Sequence, residues 1–242
     1  MHRDALQGAA LSGERQVPPM RVAVLASGGG TNLQALLDTC QGKAPARVVL
    51  VASNNSDAGA LERARAADVE TRVIADHTDG PAIIAMLRSF DTELVVLAGY
   101  LKLVPEVVVN EYAGRMLNIH PALLPSFGGS GMYGMRVHRA VLASGATVSG
   151  PTVHLVNAEY DKGPIVAQWP VPVAADDTPE TLQRRVLAVE HQLLPAVVLA
   201  AARAGGVTRL VPKGSAFAVR DGGETVVPLL ESTTTSDRSE EE

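Results

Sequence analysis

The sequence predicts an α/β protein with an open, Rossmann-like sheet. The sheet should be mostly parallel, with antiparallel strands toward the C-terminus and helices on both faces. Three observations predict it. Short apolar runs alternate with helical patterns through the first half of the chain, the βαβα rhythm of a parallel sheet covered on both sides. The run Leu94–Ala98 (LVVLA) is apolar without a break, as suits a strand buried on both faces. A glycine turn, Ser27-Gly28-Gly29-Gly30, follows the first apolar run directly and leads into a helical pattern.

In chain order, Arg21–Ala26 (RVAVLA) reads as the first strand and Thr31–Asp38 as its helix. Arg47–Ala52 is the second strand, followed by a helix at Ala58–Ala67. Glu70–Ile74 is the third strand, Pro81–Phe90 a helix and Leu94–Ala98 the fourth strand. A short helix near Pro105–Glu111 leads to Arg115–Ile119, and Thr147–Val156 and Pro164–Val173 read as longer antiparallel strands. A long helix then starts where Asp177 and Glu180 have capping-box spacing, with Asp in place of Ser or Thr and Pro179 in the first turn. It should run to about Ala204, with Pro195 a candidate bend, and stop at Gly205-Gly206. Val207–Leu230 is expected to form short peripheral strands with a turn at Asp221-Gly222.

A length of 242 residues allows a sizeable core, in one large domain or two small ones. The expected organisation is a single domain over 21–230, between a disordered extension at 1–20 and a disordered acidic tail at 231–242. Met20 stands immediately before the first strand and is a candidate natural start. The tail carries five acids against Arg238, so it holds -4 of the formal net charge of -5 and cannot repay its ordering entropy. Aromatics make up only 3%, so Val, Leu and Ala must fill the core. A mildly acidic, aromatic-poor chain also lacks the stacking platforms of a nucleic-acid binder. Cys40, the single cysteine, excludes an intrachain disulfide and a cysteine-based zinc site; a buried helical thiol is expected. No 18-residue apolar span or signal peptide is read, so no membrane partner is expected and the location should be cytoplasmic.

The glycine turn is the first stretch with chemistry. Glycines let backbone approach an anion, and the helix N-terminus offers free N–H groups. The third glycine of a dinucleotide fingerprint would fall at Leu33, and Ser53-Asn54-Asn55 stands where its acidic residue would be. There is no Gly-Lys-Ser/Thr, so this is not a P-loop. A single phosphate monoester fits better than a dinucleotide or a nucleoside triphosphate. A tight turn that binds nothing is the alternative.

The second stretch is Leu117-Asn118-Ile119-His120-Pro121-Ala122-Leu123-Leu124-Pro125. Asn118 and His120 share one face of an extended chain and emerge at the carboxyl end of a parallel strand, where open sheets place ligands. An Asn donor beside an imidazole suits a developing oxyanion, and His also moves protons near neutral pH. A histidine that only closes the strand is the alternative. The third stretch, Gly150-Pro151-Thr152-Val153-His154-Leu155-Val156, leads to Asp161-Lys162-Gly163-Pro164. His154 lies on a strand and Asp161 in the turn after it; spacing alone does not bring Asp161 to His120. No pair of histidines has H-E-x-x-H spacing, and no catalytic metal is expected.

Together these stretches resemble the phosphoribosylglycinamide formyltransferase family, the folate-dependent enzymes of purine synthesis. The resemblance covers about Arg21 to Ala204. It rests on VAVLASGGGTNLQALLD, VASNN-DA-ALERA, LVVLAGYLKLV, GRMLNIHPALLPSF and G-x-T-V-H-x-V-x-x-x-x-D-x-G-P-I, in that order. NIHPALLP alone would admit every folate-dependent formyl-transfer relative, and SGGGTNLQAL narrows the match to the glycinamide ribonucleotide branch.

The resemblance implies a formyltransferase fold and transfer of a formyl group from 10-formyltetrahydrofolate to the amine of glycinamide ribonucleotide, without a metal. Gly30, Thr31 and Asn32 match the residues that hold the substrate phosphate, and Glu190 matches the one that binds the ribose hydroxyls. Asn118, His120 and Asp161 match the catalytic trio, with His154 a supporting histidine. Asn118 and a protonated His120 would stabilise the oxyanion. Asp161 would keep His120 charged and help remove the amine proton through water. Leu101, Lys102, Leu103 and Val104 match the wall of the folate pocket, and Asn157–Asp161 the loop across from it. Family members occur as monomers and homodimers. The loop Gly128–Met135 is longer than the family pattern, and its glycines suggest a mobile lid.

Three other readings compete. A formyltetrahydrofolate hydrolase would need an N-terminal regulatory domain that 20 residues cannot supply. A methionyl-tRNA formyltransferase would need a basic C-terminal domain. A non-catalytic phosphate-ligand binding module would not need Asn118, His120 and Asp161 together.

Overall fold

The computed structural model describes residues 18–212 and 230–232. In it the first half of the chain alternates as expected: β1 (Met20–Leu25), α1 (Thr31–Thr39), β2 (Ala46–Ser53), α2 (Gly59–Ala66), β3 (Glu70–Val73), α3 (Gly80–Ser89), β4 (Leu94–Leu97), α4 (Glu106–Glu111) and β5 (Met116–His120). There follow α5 (Met135–Ala143), β6 (Val148–Ser149), β7 (Thr152–Leu155), β8 (Ile165–Gln168), β9 (Val171–Pro172), α6 (Pro179–Ala204), β10 (Leu210–Pro212) and β11 (Leu230–Ser232).

Seven strands form the main sheet in the order β3-β2-β1-β4-β5-β7-β8. The first five are parallel, and β7 and β8 join antiparallel. Side chains along β1 alternate between two cores. Val22 and Val24 pack with Leu33 and Leu36 of α1, Leu61 of α2 and Leu193 of α6. Ala23 and Leu25 face Ile83 and Leu87 of α3 and Val108 of α4. Each fully buried Leu contributes about 2 kcal/mol of hydrophobic stabilisation. The strand order reverses between β1 and β4, and crevices at such a reversal are where open sheets bind ligands.

Four details differ from the sequence reading. The two long antiparallel strands are each broken in two. Gly150-Pro151 separates β6 from β7 and Trp169-Pro170 separates β8 from β9; the prolines have no N–H to continue a ladder. Gly150 has φ 134, and a Cβ there would strike the Trp169 carbonyl oxygen, so this close approach needs glycine.

Second, α5 has no counterpart among the expected elements, because it begins after Gly134 with no side-chain cap to announce it. Third, the capping box of α6 is Thr178 with Thr181, one residue beyond the expected Asp177 and Glu180. Asp177 instead takes a bidentate bond from Arg185, at 2.7 and 2.8 Å, which holds its carboxyl well below the usual range. Gly205 closes the helix at φ 70, as expected, and the helix runs through Pro195.

Fourth, α6 is long and apolar enough by length and composition to cross a membrane, a span the sequence reading did not register. Its apolar face is spent on the core, where Leu182, Val186, Leu193, Leu194 and Val198 are all fully buried. Cys40 is buried behind α1, and burial pushes its thiol up to about 11. Of the expected tail, Glu231 and Ser232 belong to β11. Residues 1–17 and 233–242, and the Asp221-Gly222 turn, lie outside the described residues.

Candidate active site

The glycine loop leaves β1 at the strand-order reversal. It is clamped to α2, with Ala60 donating to the Gly28 carbonyl at 3.1 Å and Arg63 Nε to the Gly29 carbonyl at 2.8 Å. Gly30 precedes α1 at φ 75, and a Cβ there would lie 2.7 Å from Ala60 Cα. Only glycine fits. No side chain caps α1, so its first N–H groups remain available to an anion.

Asn32, on the first turn of α1, donates through Nδ2 to Glu190 Oε2 at 2.6 Å and so ties α1 to α6. Glu190 is only 7% exposed. Burial pushes its carboxyl above the usual range, against the single hydrogen bond from Asn32.

The second half of the site comes from the antiparallel pairing of β5 with β7. That register sets Asn118 opposite His154 and His120 opposite Thr152. Asp161, at φ 56 in the loop after β7, turns its carboxylate back onto them. It stands 3.5 Å from His120 Nδ1, 3.5 Å from His154 Nε2 and 3.3 Å from Asn118 Nδ2, and accepts from the Gly129 N–H at 2.9 Å.

Carbonyl oxygens assign the imidazole protons, because a carbonyl only accepts. His154 Nδ1 lies 2.8 Å from the Leu155 carbonyl and so carries the proton; its Nε2 accepts from Asn118 Nδ2 at 3.0 Å. His120 Nε2 lies 2.8 Å from the Phe127 carbonyl and carries its proton there, which leaves Nδ1 toward Asp161.

Charge is distributed differently from the sequence expectation. Burial pulls His120 below its ordinary value; Asp161 and the Phe127 carbonyl oppose the shift without overcoming it. Asp161 therefore does not keep His120 charged in the free protein. Asp161 itself is raised by burial but lowered by more through His154, His120 and the Gly129 N–H, and it stays ionised.

Both halves line one cleft of about 430 Å³. It gathers Asn118, His120, His154 and Asp161 with Asn32 and Glu190, and the wall residues Leu101, Lys102, Leu103, Val104 and Asn157. The loop Gly129–Gly134 forms part of its lining. Gly30 and Thr31 are not in that lining; Thr31 borders a groove beside α1 with Arg63 and His191. Among the described residues no three His, Cys, Asp or Glu side chains stand together as a metal site.

Three residues to which the sequence reading gives no role also shape the site. Thr152 Oγ1 donates to the Ala122 carbonyl at 2.6 Å and accepts from Leu124 N at 3.0 Å, fixing the turn after His120. Gln168 donates to the Leu124 carbonyl at 2.9 Å. The threonine is visible in the G-x-T-V-H pattern, whereas nothing in the sequence marks the glutamine. His138 of α5 is 2% exposed, lines the cleft and has no partner at Nδ1. Burial first, and then nearby His120, push it down to about 4.

The pattern of the formyl transferase family matches residues 20–198. The chain is 46% identical over 186 residues to phosphoribosylglycinamide formyltransferase, chloroplastic, from Arabidopsis thaliana, covering 74% of this chain and 64% of the relative. It is 39% identical to phosphoribosylglycinamide formyltransferase from Escherichia coli K12, covering 74% of this chain and 85% of that one. The crystal structure of glycinamide ribonucleotide transformylase 1 from Symbiobacterium toebii superposes with a TM-score of 0.71 at 42% identity, over 81% of this chain and 92% of that one. The chain spans 64% of the length of the Arabidopsis relative and 59% of that of phosphoribosylglycinamide formyltransferase, chloroplastic, from Vigna unguiculata, less than two thirds of each.

Proposed function

The chain belongs to the formyl transferase family, and we propose that it transfers the formyl group of 10-formyltetrahydrofolate to the amine of glycinamide ribonucleotide in purine biosynthesis. The observation that carries the proposal is the convergence of Asn118, His120, His154 and Asp161 in the same cleft as Asn32 and Glu190. The names of the relatives and of the superposed structure point to the same reaction.

In this reading the nucleotide phosphate sits on the N–H groups at Gly30, Thr31 and Asn32, and Glu190 accepts from the ribose hydroxyls. The pterin lies along Leu101–Val104 with Asn157 opposite. The amine nitrogen attacks the formyl carbon, and the C=O electron pair moves to oxygen to give a tetrahedral oxyanion. Asn118 Nδ2–H is one donor, and His120, once protonated, supplies the second.

Of the two bonds Asn118 makes through Nδ2, the 3.3 Å contact to Asp161 is the one the oxyanion takes over. His154 holds the amide in place through the other. The ionised Asp161 accepts the amine proton through water. Collapse of the intermediate expels folate N10, and the proton that Asp161 accepted passes through water to N10 as the formylated nucleotide forms. Buried Glu190 and neutral His120 become more readily charged when a diol or an oxyanion supplies the missing partner.

The partners are thus two small molecules. The same reading has the chain as a monomer or homodimer in the cytoplasm, consistent with its single free cysteine and with α6 packed into the core. The test is formyl transfer with glycinamide ribonucleotide and 10-formyltetrahydrofolate. Transfer is expected. Its absence overturns the reading, and formate release without the nucleotide would make the chain a hydrolase.

A further inference from the structure

Ser27 ends the chain path of β1 and begins the glycine loop, and its polar atoms reach across the strand-order reversal. Its N–H donates to the Gly99 carbonyl at 3.0 Å, and its hydroxyl oxygen accepts from the Leu101 N–H at 2.9 Å. The hydroxyl hydrogen goes to Asn54 Oδ1, after β2, at 2.6 Å. A hydroxyl has one hydrogen and two lone pairs. Asn54 takes the hydrogen, and this orients a lone pair toward Leu101.

Gly99 turns at φ 75, and Leu101 and Leu103 beyond it are exposed. Tyr100 and Val104 are buried on either side, so the wall is held by packing at those two residues and by Ser27 at the exposed Leu101. At its other end the same glycine loop is fixed to α2 through the Gly28 and Gly29 carbonyls.

We infer that Ser27 is a positioning residue that couples the anion-binding glycine loop to the Leu101–Val104 wall, so that ligands at the two subsites bind synergistically. The inference rests on the assignment of those subsites above. An anion that draws the Gly30–Asn32 backbone into place carries Ser27 with it, and Ser27 sets the Leu101 amide at the head of the wall. The reverse must hold as well, since coupling in binding is reciprocal.

Calorimetry with the whole chain tests this, using glycinamide ribonucleotide and tetrahydrofolate, a non-reacting pair. In the wild-type chain, saturating nucleotide should tighten tetrahydrofolate by at least about fivefold. Ser27→Ala should reduce that factor to about one. In turnover it should raise the KM for 10-formyltetrahydrofolate by about tenfold, the effect of one lost hydrogen bond to a fixed donor, while kcat and the nucleotide KM move by less than about threefold. Ser27→Thr keeps the hydroxyl and should restore the coupling.

Asn54→Ala leaves Ser27 in place but frees its rotor, and should raise the folate KM about two- to threefold. This variant serves if Ser27→Ala does not fold. A wild-type factor of one, a Ser27→Ala factor equal to wild type, or a folate KM untouched by both substitutions overturns the inference. Absence of formyl transfer in the wild-type chain overturns instead the assigned reaction, and the calorimetric factor still decides the coupling.

Discussion

Glu190 and Asp161 are carboxylic acids at opposite ends of one cleft, and their environments give them opposite charge states. Both side chains are largely out of water, Glu190 the more deeply of the two. Glu190 has one donor, Asn32, and burial pushes it toward its neutral form. Asp161 accepts from Asn118 Nδ2–H and the Gly129 N–H, with two imidazoles alongside, and stays ionised. Burial alone does not set a carboxyl's charge. Depth of burial and the donors that face it set that charge together. The difference fits the assigned roles, since a ribose diol is held by an acceptor that gains its donors only on binding, whereas a proton acceptor must be ready beforehand.

Removing the charge at the donor-rich end should have the largest effect. Asp161→Asn keeps the volume and the contact with Gly129 but cannot accept a proton. Steady-state formyl transfer should show kcat lower by at least ~100-fold, with both KM values within about threefold. Turnover near wild type would remove Asp161 from proton transfer and the contrast with Glu190 would lose its meaning.

His138 sharpens the comparison from the side of a base with no donor or acceptor at Nδ1. Its folded pKa of about 4 lies below the ordinary value of 6.5, so the unfolded chain binds a proton that the folded chain refuses. Stability is intact above pH 6.5 and falls as the pH drops toward 4, by an amount on the order of 2–3 kcal/mol. Denaturation of His138→Gln across this range should show a correspondingly shallower loss. An unchanged pH slope would mean that another group is responsible. A smaller effect is expected at the donor-poor end. Asn32→Ala should raise the nucleotide KM by about tenfold and leave kcat nearly unchanged. Equal binding of glycinamide ribonucleotide and its dephosphorylated riboside would count against the phosphate site itself.

The contrast between the two acids also marks where sequence stops being informative. The strands were legible because β4 and its neighbours are buried on both faces and so lack polar positions. Asn118 and His120 were legible because alternation along β5 puts them on one face. Their partner Asp161 lies 43 residues from Asn118, and Glu190 lies 158 residues from Asn32; both pairings depend on tertiary packing. The cap of α6 lies one residue beyond the expected one because Asp177 and Thr178 are both competent caps, and Arg185 on the helix claims the aspartate. The charge on His120 differs from the expectation for a related reason. A neighbouring carboxylate can be inferred from a motif, whereas the depth of burial that outweighs it cannot.

Glu190→Gln gives the smallest and most specific effect. The folded pKa of Glu190 is raised, so above the ordinary carboxylate range, about 4.3, the unfolded chain has released a proton that the folded chain retains. Stability is therefore lost as pH rises above that range, the opposite of the usual carboxylate. Glutamine has no proton to lose and keeps an acceptor for Asn32. Thermal unfolding of Glu190→Gln should thus exceed wild type at pH 7–8 and converge with it near pH 4, while the nucleotide KM rises because a neutral amide is a weaker acceptor for a diol. Saturating glycinamide ribonucleotide should narrow the stability gap at neutral pH, since the ribose hydroxyls give the charged Glu190 its missing donors. A wild-type chain that is the more stable at neutral pH without ligand would show Glu190 ionised and well solvated there, and the distinction between the two ends of the cleft would fall.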